Sequence, residues 1–294
     1  MPSFNRSTTG KEVVAAFPSS IAGKTFIAAI RAIDPSIRTT LVLVDLASQS
    51  SVRSAAQKIN DDVSIGQIDA VINCAGIMAR PSFEVTEGIE AQFGSNHIGH
   101  FLLTNLVLGK VVKAGQEGGG NGEDLRDLSW GRLSLRIGIS SAREREGKEY
   151  HAWLAYAQSK TANVLFTAAL AEKLKNKGVQ SFALQPGQNL LTIHIVIMET
   201  NLGKHATPES WQSVLTIANE TSGGKEIKME EPKTLQRAST ALVAALDPSI
   251  AEFSGGFLQD CVLRPVEQAY AKGKENADKL WVLSEKLVGE KFDL

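Results

Sequence analysis

The chain has 294 residues, enough to bury a sizeable core, with 31 basic against 32 acidic side chains and a net charge of −1. That balance excludes a broad basic field for nucleic acid or an anionic membrane surface. Two cysteines, Cys74 and Cys261, cannot build a disulfide framework, the amino terminus lacks an apolar signal core, and no apolar run reaches the roughly 18 residues of a membrane span; the expectation is a cytoplasmic protein without a membrane span.

Taken in chain order, residues 24–27 read as the first half of a strand that runs directly into the end of a helix before Asp34 and Pro35. From residue 39 onward, short β-branched apolar runs alternate with longer helical patterns, the mark of strand and crossover-helix units in a parallel sheet. Residues 40–46 are predicted to be a buried strand, 50–60 a helix, 68–73 a strand ending at a glycine turn, and 86–113 a long helix. Residues 114–131, rich in glycine and acidic side chains, read as a flexible surface loop within one domain spanning 1–294. A strand at 132–140, an alanine-rich helix at 154–177 and a strand at 179–184 follow. Further on, helices are expected at 208–221 and 232–246, a last strand at 256–259 and a terminal helix at 277–288.

The segment Tyr156-Ala157-Gln158-Ser159-Lys160 carries the clearest chemistry. Four residues apart on a helix, Tyr156 and Lys160 share a face, and an ammonium beside a phenol favours the phenolate and makes the tyrosine a general acid/base. Taken alone the pair is weak, because a surface Tyr and Lys fall at this spacing by accident in many chains. His97 and His100, three apart on a helix, have no suitably spaced carboxylate or cysteine beside them; they read as packing and hydrogen-bonding residues and no metal site is expected. Cys74 reads as a small buried apolar group.

The order of further motifs resembles the short-chain dehydrogenase/reductase family, and within it the retinol-dehydrogenase-like and fungal branch. Asn73-Cys74-Ala75-Gly76 after a strand is similar to that family's Asn-Asn-Ala-Gly turn, Asn96 to its helix asparagine, Ser140-Ser141 to the serine before the Tyr/Lys helix, and Pro186-Gly187 to the turn after the next strand. Asp45 resembles its adenine-contacting acid. The resemblance implies a Rossmann-like, doubly wound parallel sheet in three layers and hydride transfer between NADP(H), with NAD as the other possibility, and a carbonyl or alcohol of small-molecule size. It implies catalytic roles for Asn96, Ser141, Tyr156 and Lys160, cofactor contacts from Asp45, Asn73, Ala75, Gly76, Tyr156, Lys160, Pro186 and Gly187, and a homodimer through the 156–177 helix.

Two departures stand against that pattern. Dinucleotide binding in such folds rests on a Gly-x-x-x-Gly-x-Gly turn after the first strand, and none occurs before Asp45; Thr8-Thr9-Gly10-Lys11 is no substitute. Residues 1–38 thus read as a truncated or atypical part lacking the first strand-helix-strand portion, and residues 188–195 as an apolar insertion. These departures leave a second reading open, a catalytically inactive relative or dimerisation partner.

Overall fold

In the computed structural model, the structure describes residues 4–5, 8–17, 26–28, 40–117, 125–130, 150–185, 193–196, 207, 209, 211–213, 216, 227–230 and 239–294. The predicted serine pair 140–141, the strand at 132–140 and the Pro186-Gly187 turn lie outside them, as do most of the predicted helix at 208–221 and the first part of that at 232–246.

The main sheet has six strands in the order β1 (Phe26–Ala28), β2 (Ala70–Asn73), β5 (Leu125–Trp130), β6 (Val179–Gln185), β9 (Phe257–Gln259) and β10 (Val262–Arg264). All neighbours are parallel except β10, which returns antiparallel on β9. Helices cover both faces, as a doubly wound α/β fold requires. On one side α2 (Gln49–Asp61), α4 (Gly99–Glu117), α5 (Ala152–Leu174) and α7 (Lys274–Val288) enclose a core that includes Val52, Phe101, Leu165 and Trp281. On the other, α6 (Ser239–Leu246) and α1 (Gly10–Ala16) pack Val243 and Val13 against Phe182 and Leu184 of β6. The two-residue period of β6 divides the layers, since Ala183 between them packs with Val164 of α5.

Thr8-Thr9-Gly10-Lys11 belongs to this second layer: Thr9 and Glu12 form a capping box at the start of α1, and Ser239 donates to the Thr8 carbonyl at 2.7 Å. A small parallel pair, β7 (Ile193–Val196) with β8 (Ile227–Glu230), takes in the end of the 188–195 segment.

Several expectations require correction. Residues 40–45 are not a buried strand: they carry no ladder, and Leu41 and Leu43 are 85% and 77% exposed. An apolar β-branched run becomes a strand only when a neighbour accepts its backbone groups, and among the described residues none pairs with it. The helix expected from residue 86 begins later. Val85–Thr86 (β3) and Ile89–Glu90 (β4) first make a hairpin whose turn places Glu87 and Gly88 at φ of 52° and 78°, and Glu90 then caps the helical turn α3 (Ala91–Phe93) by accepting from Phe93 N at 2.8 Å. The interval 114–131 is not one loop, because α4 runs to Glu117 and β5 lies between β2 and β6. Pairing on both edges there outweighs a glycine-rich, acidic composition. Fifteen residues of the alanine-rich helix α5 are buried within the chain, and Trp281 of α7 stacks on its Phe166.

Candidate active site

The carboxyl ends of the parallel strands bring the site together, as expected for an open α/β sheet. β2 ends in Asn73, and the chain continues through Ala75 and Gly76 across the start of the helical segment that follows the hairpin. That segment is not regular: Gly94–Ile98 forms a π turn in which Gly99 N donates to Gly94 O, five residues back. The kink presents Asn96, fully buried, to the loop. Asn96 Oδ1 accepts from Ile77 N at 2.8 Å, and its Nδ2 donates to Ile77 O at 2.8 Å and to Ser159 Oγ at 3.0 Å.

Gly76 sits against this group so closely that a Cβ there would stand 2.8 Å from Asn96 Oδ1 and 3.7 Å from Lys160 Nζ. A side chain at 76 would push apart the two residues that the site needs together. Lys160, one turn into α5 from Tyr156, is 5% exposed, and its Nζ lies over the Tyr156 ring, 5.3 Å from the centroid. Burial pulls the Lys160 ammonium down to about 8, while the nearby Cys74 works weakly the other way. Burial also pushes the Tyr156 phenol above its ordinary value. This reverses the expected direction for Tyr156: the ammonium faces the ring, not the hydroxyl, and desolvation of the phenolate wins. The tyrosine is therefore a neutral proton donor at physiological pH.

Around Tyr156 stands an apolar wall. Trp153 meets its ring edge-on at 6.3 Å, and Trp211 lies tilted against Trp153 at 4.7 Å, with Met78 and Ala79 packed into the same cluster. His97 is taken up by the core, buried among Phe93, Phe101 and Phe166 with Nε2 2.8 Å from Ser284 Oγ. His100 instead faces the loop after β2, its Nε2 2.8 Å from the Ala75 carbonyl and its Nδ1 3.1 Å from Asn73.

A family model for short chain dehydrogenases matches residues 6–121. The human protein named retinol dehydrogenase 13 is 32% identical over 256 residues, covering 84% of this chain and 67% of that one. The chloroplastic short-chain dehydrogenase TIC 32 A of Brassica napus is 33% identical over 257 residues, 86% and 73% of the two chains. The chain belongs to the short-chain dehydrogenase/reductase family. Among solved structures, an uncharacterised protein from Mycobacterium paratuberculosis superposes with a TM-score of 0.51 at 28% identity, covering 85% of this chain and 76% of that one.

Of the residues that the short-chain dehydrogenase/reductase resemblance points to, the structure gathers Asn73, Ala75, Gly76, Asn96, Tyr156 and Lys160 into one cluster. Asp45 is elsewhere: it is exposed in the turn before α2, where its carboxylate accepts from Ala47 N at 3.0 Å and its own N–H donates to Ser51 Oγ at 2.9 Å. Among the described residues no hydrogen bond joins it to the cluster. Ser141, Pro186 and Gly187 lie outside the described residues.

Sequence reasoning missed Ser159. Its hydroxyl donates to the Tyr156 carbonyl at 2.7 Å and accepts from Asn96, so it ties the π turn to the start of α5. Its spacing of three residues from Tyr156 was the available signal. The cluster fits the nicotinamide and ribose end of the dinucleotide that such a fold implies: Lys160 is a buried cation with no ion pair among the described residues, and the glycine at 76 leaves the turn without a side chain. The phosphate end has no counterpart glycine turn in the sequence.

No helix among the described residues is long and apolar enough to cross a membrane.

Proposed function

We propose that this chain is a carbonyl or alcohol oxidoreductase using NADP(H), with NAD(H) as the second choice, and that its substrate is a small apolar carbonyl compound or the corresponding alcohol. The observation that carries the reading is the convergence of Tyr156, Lys160 and Asn96 on the Asn73 to Gly76 turn at the carboxyl ends of the strands. The choice of NADP(H) rests on the resemblance to the retinol-dehydrogenase-like branch. The apolar substrate rests on the Trp153, Trp211 and Met78 wall beside Tyr156, and is in keeping with a relative named for retinol.

When bound, the nicotinamide supplies or accepts the hydride at the substrate carbon. Tyr156, kept protonated by its burial, gives its proton to the carbonyl oxygen as negative charge grows there. Lys160, poised near pH 8, stabilises the phenolate left behind and holds the ribose. Asn96, anchored by Ile77 and Ser159, fixes the path by which a proton returns to Lys160. Ser141 is assigned the hydrogen bond to the carbonyl oxygen, and Pro186-Gly187 and Asp45 contacts to the cofactor. The arrangement favours reduction, because a neutral phenol is a donor and a poor base.

Fluorescence and thermal-shift titration with NADPH and NADH tests the reading. Saturable binding at micromolar NADPH, followed by consumption of NADPH with apolar aldehydes, is the expected result. A folded chain that binds neither dinucleotide would remove it.

A further inference from the structure

One face of the helical segment from residue 91 onward carries a polar side chain every fourth residue, namely Gln92, Asn96, His100 and Thr104. All four are buried, at 0%, 0%, 5% and 1% exposure. Each reaches the loop that leaves β2, and the contacts step along that loop two residues at a time in the opposite direction. Gln92 Oε1 accepts from Ala79 N at 2.9 Å, Asn96 bonds both backbone groups of Ile77, His100 meets the Ala75 carbonyl, and Thr104 Oγ1 accepts from Asn73 Nδ2 at 3.0 Å.

The match of spacings has a geometric cause. Four residues of helix rise about 6 Å, and two residues of extended chain span about 6.6 Å, so the rungs stay in step over the whole contact. Four residues of regular α-helix also rotate about 400°, a drift of about 40° per rung that would carry the last rung off the loop. The π turn at Gly94–Ile98, which spans Asn96, turns less per residue than an α-helix and takes back part of that drift. The loop needs this help, because it forms no ladder of its own and passes through Ala79 at φ of 52°, a conformation unfavourable to a residue with a Cβ.

We infer that Gln92, His100 and Thr104 are positioning residues which, with Asn96, act as a four-rung clamp holding residues 73–79 in the one extended shape that places Gly76 against Lys160. The clamp acts through the loop and touches no reacting atom. This inference rests on the proposed function for its consequence, cofactor affinity, but the clamp itself is a property of the unliganded chain. Its signature is coupling between rungs: removing one rung loosens the backbone held by the next.

The decisive experiment is amide hydrogen exchange on the unliganded full chain, joined to NADPH titration, for His100→Phe, His100→Gln and Thr104→Val. His100→Phe keeps the volume and removes the bonds to Ala75 and Asn73. Thr104→Val is nearly isosteric and removes an outer rung, so a folded variant is available even if the first fails to fold. The clamp requires His100→Phe to speed exchange at Ile77 and Ala79 about tenfold or more, although neither amide bonds to His100, while amides within α5 keep their wild-type rates. It requires the NADPH dissociation constant to rise about tenfold in His100→Phe and a few-fold in Thr104→Val. In His100→Gln, whose amide can donate to the Ala75 carbonyl, most of both losses should return. Unchanged exchange at Ile77 and Ala79 in the folded variants overturns the clamp, as does an acceleration shared equally by α5, the sign of general destabilisation. A wild-type chain that binds no dinucleotide would defeat the proposed function and leave the exchange result to decide the clamp.

Discussion

Residues 40–46 and residues 70–79 make an instructive pair. Both begin as short β-branched apolar runs ending in a polar residue, Asp45 in one and Asn73 in the other. The second pairs with strands on both sides, delivers a polar residue into a buried network and leads into a loop that another element holds along its length. The first carries no ladder and leaves Leu41 and Leu43 in solvent, and the Asp45 carboxylate accepts from Ala47 N in the turn that opens α2. Val42 and Leu46 of the first region pack against the core cluster that includes Val71 of the second, and Leu46 O lies against Gly99 at the start of α4. The same local pattern yields an active-site wall or an exposed strap, according to whether a neighbour receives its backbone groups. The half of the sheet that carries the Tyr156, Lys160 and Asn96 cluster is built and held, and residues 40–46 lie on the side where the sequence has no glycine turn.

The comparison can be broken most forcibly at the built half. Tyr156→Phe should lower turnover by at least about a hundredfold, the scale of a positioned general acid, while NADPH affinity measured by titration stays within about twofold. Residual activity near wild type would mean that another group gives the proton.

Acid should next separate the two regions. His97 is held down to about 3 and His100 to about 4 by burial, so the unfolded chain, with ordinary histidines, binds more protons than the folded one as pH falls below 6.5. Stability therefore drops with acidification, by about 4 kcal/mol in total between pH 7.5 and 5 if both shifts are fully expressed. Urea unfolding across that range checks the slope, and His97→Phe should flatten it by about half.

The junction between the regions comes third. A Cβ on residue 99 would stand 2.3 Å from Leu46 O, a backbone atom that cannot swing away. Gly99→Ala should cost about 1–3 kcal/mol by forcing the strap off α4, read as a lowered melting temperature. The smallest effect belongs to the strap itself: Leu41→Ser with Leu43→Ser should change stability by no more than about 0.5 kcal/mol per site, yet reduce aggregation measured by light scattering, since an exposed apolar edge is lost. A large destabilisation would show that these leucines are covered in solution.

Much of the fold was legible before any coordinates. The helix at 50–60 is α2 within a residue at each end, the strand at 179–184 is β6, and the terminal helix is α7 begun three residues early. The cluster was legible too, because Tyr156 and Lys160 lie within one helical turn and the Asn73 to Gly76 turn and Asn96 each stand in a recognisable local setting. What escaped were the hairpin before α3, whose Glu87-Gly88 turn sits inside a run that also suits a helix, and β5, which composition disguised as a loop. Ser159, Gln92 and Thr104 escaped because a hydroxyl or an amide on a helix has many possible partners, whereas His100 reads as a hydrogen-bonding residue without its partner being legible.

By itself, the sequence determined the alternation of strands and helices, the parallel class of sheet and the shared helix face of Tyr156 and Lys160, because periodicity and four-residue spacing act within a single segment. Only the tertiary structure decided which apolar runs became strands, that the 73–79 loop is read rung by rung along one helix face, and that burial outweighs the ammonium at Tyr156. Those outcomes depend on pairing and desolvation, and both are set by neighbours far away along the chain.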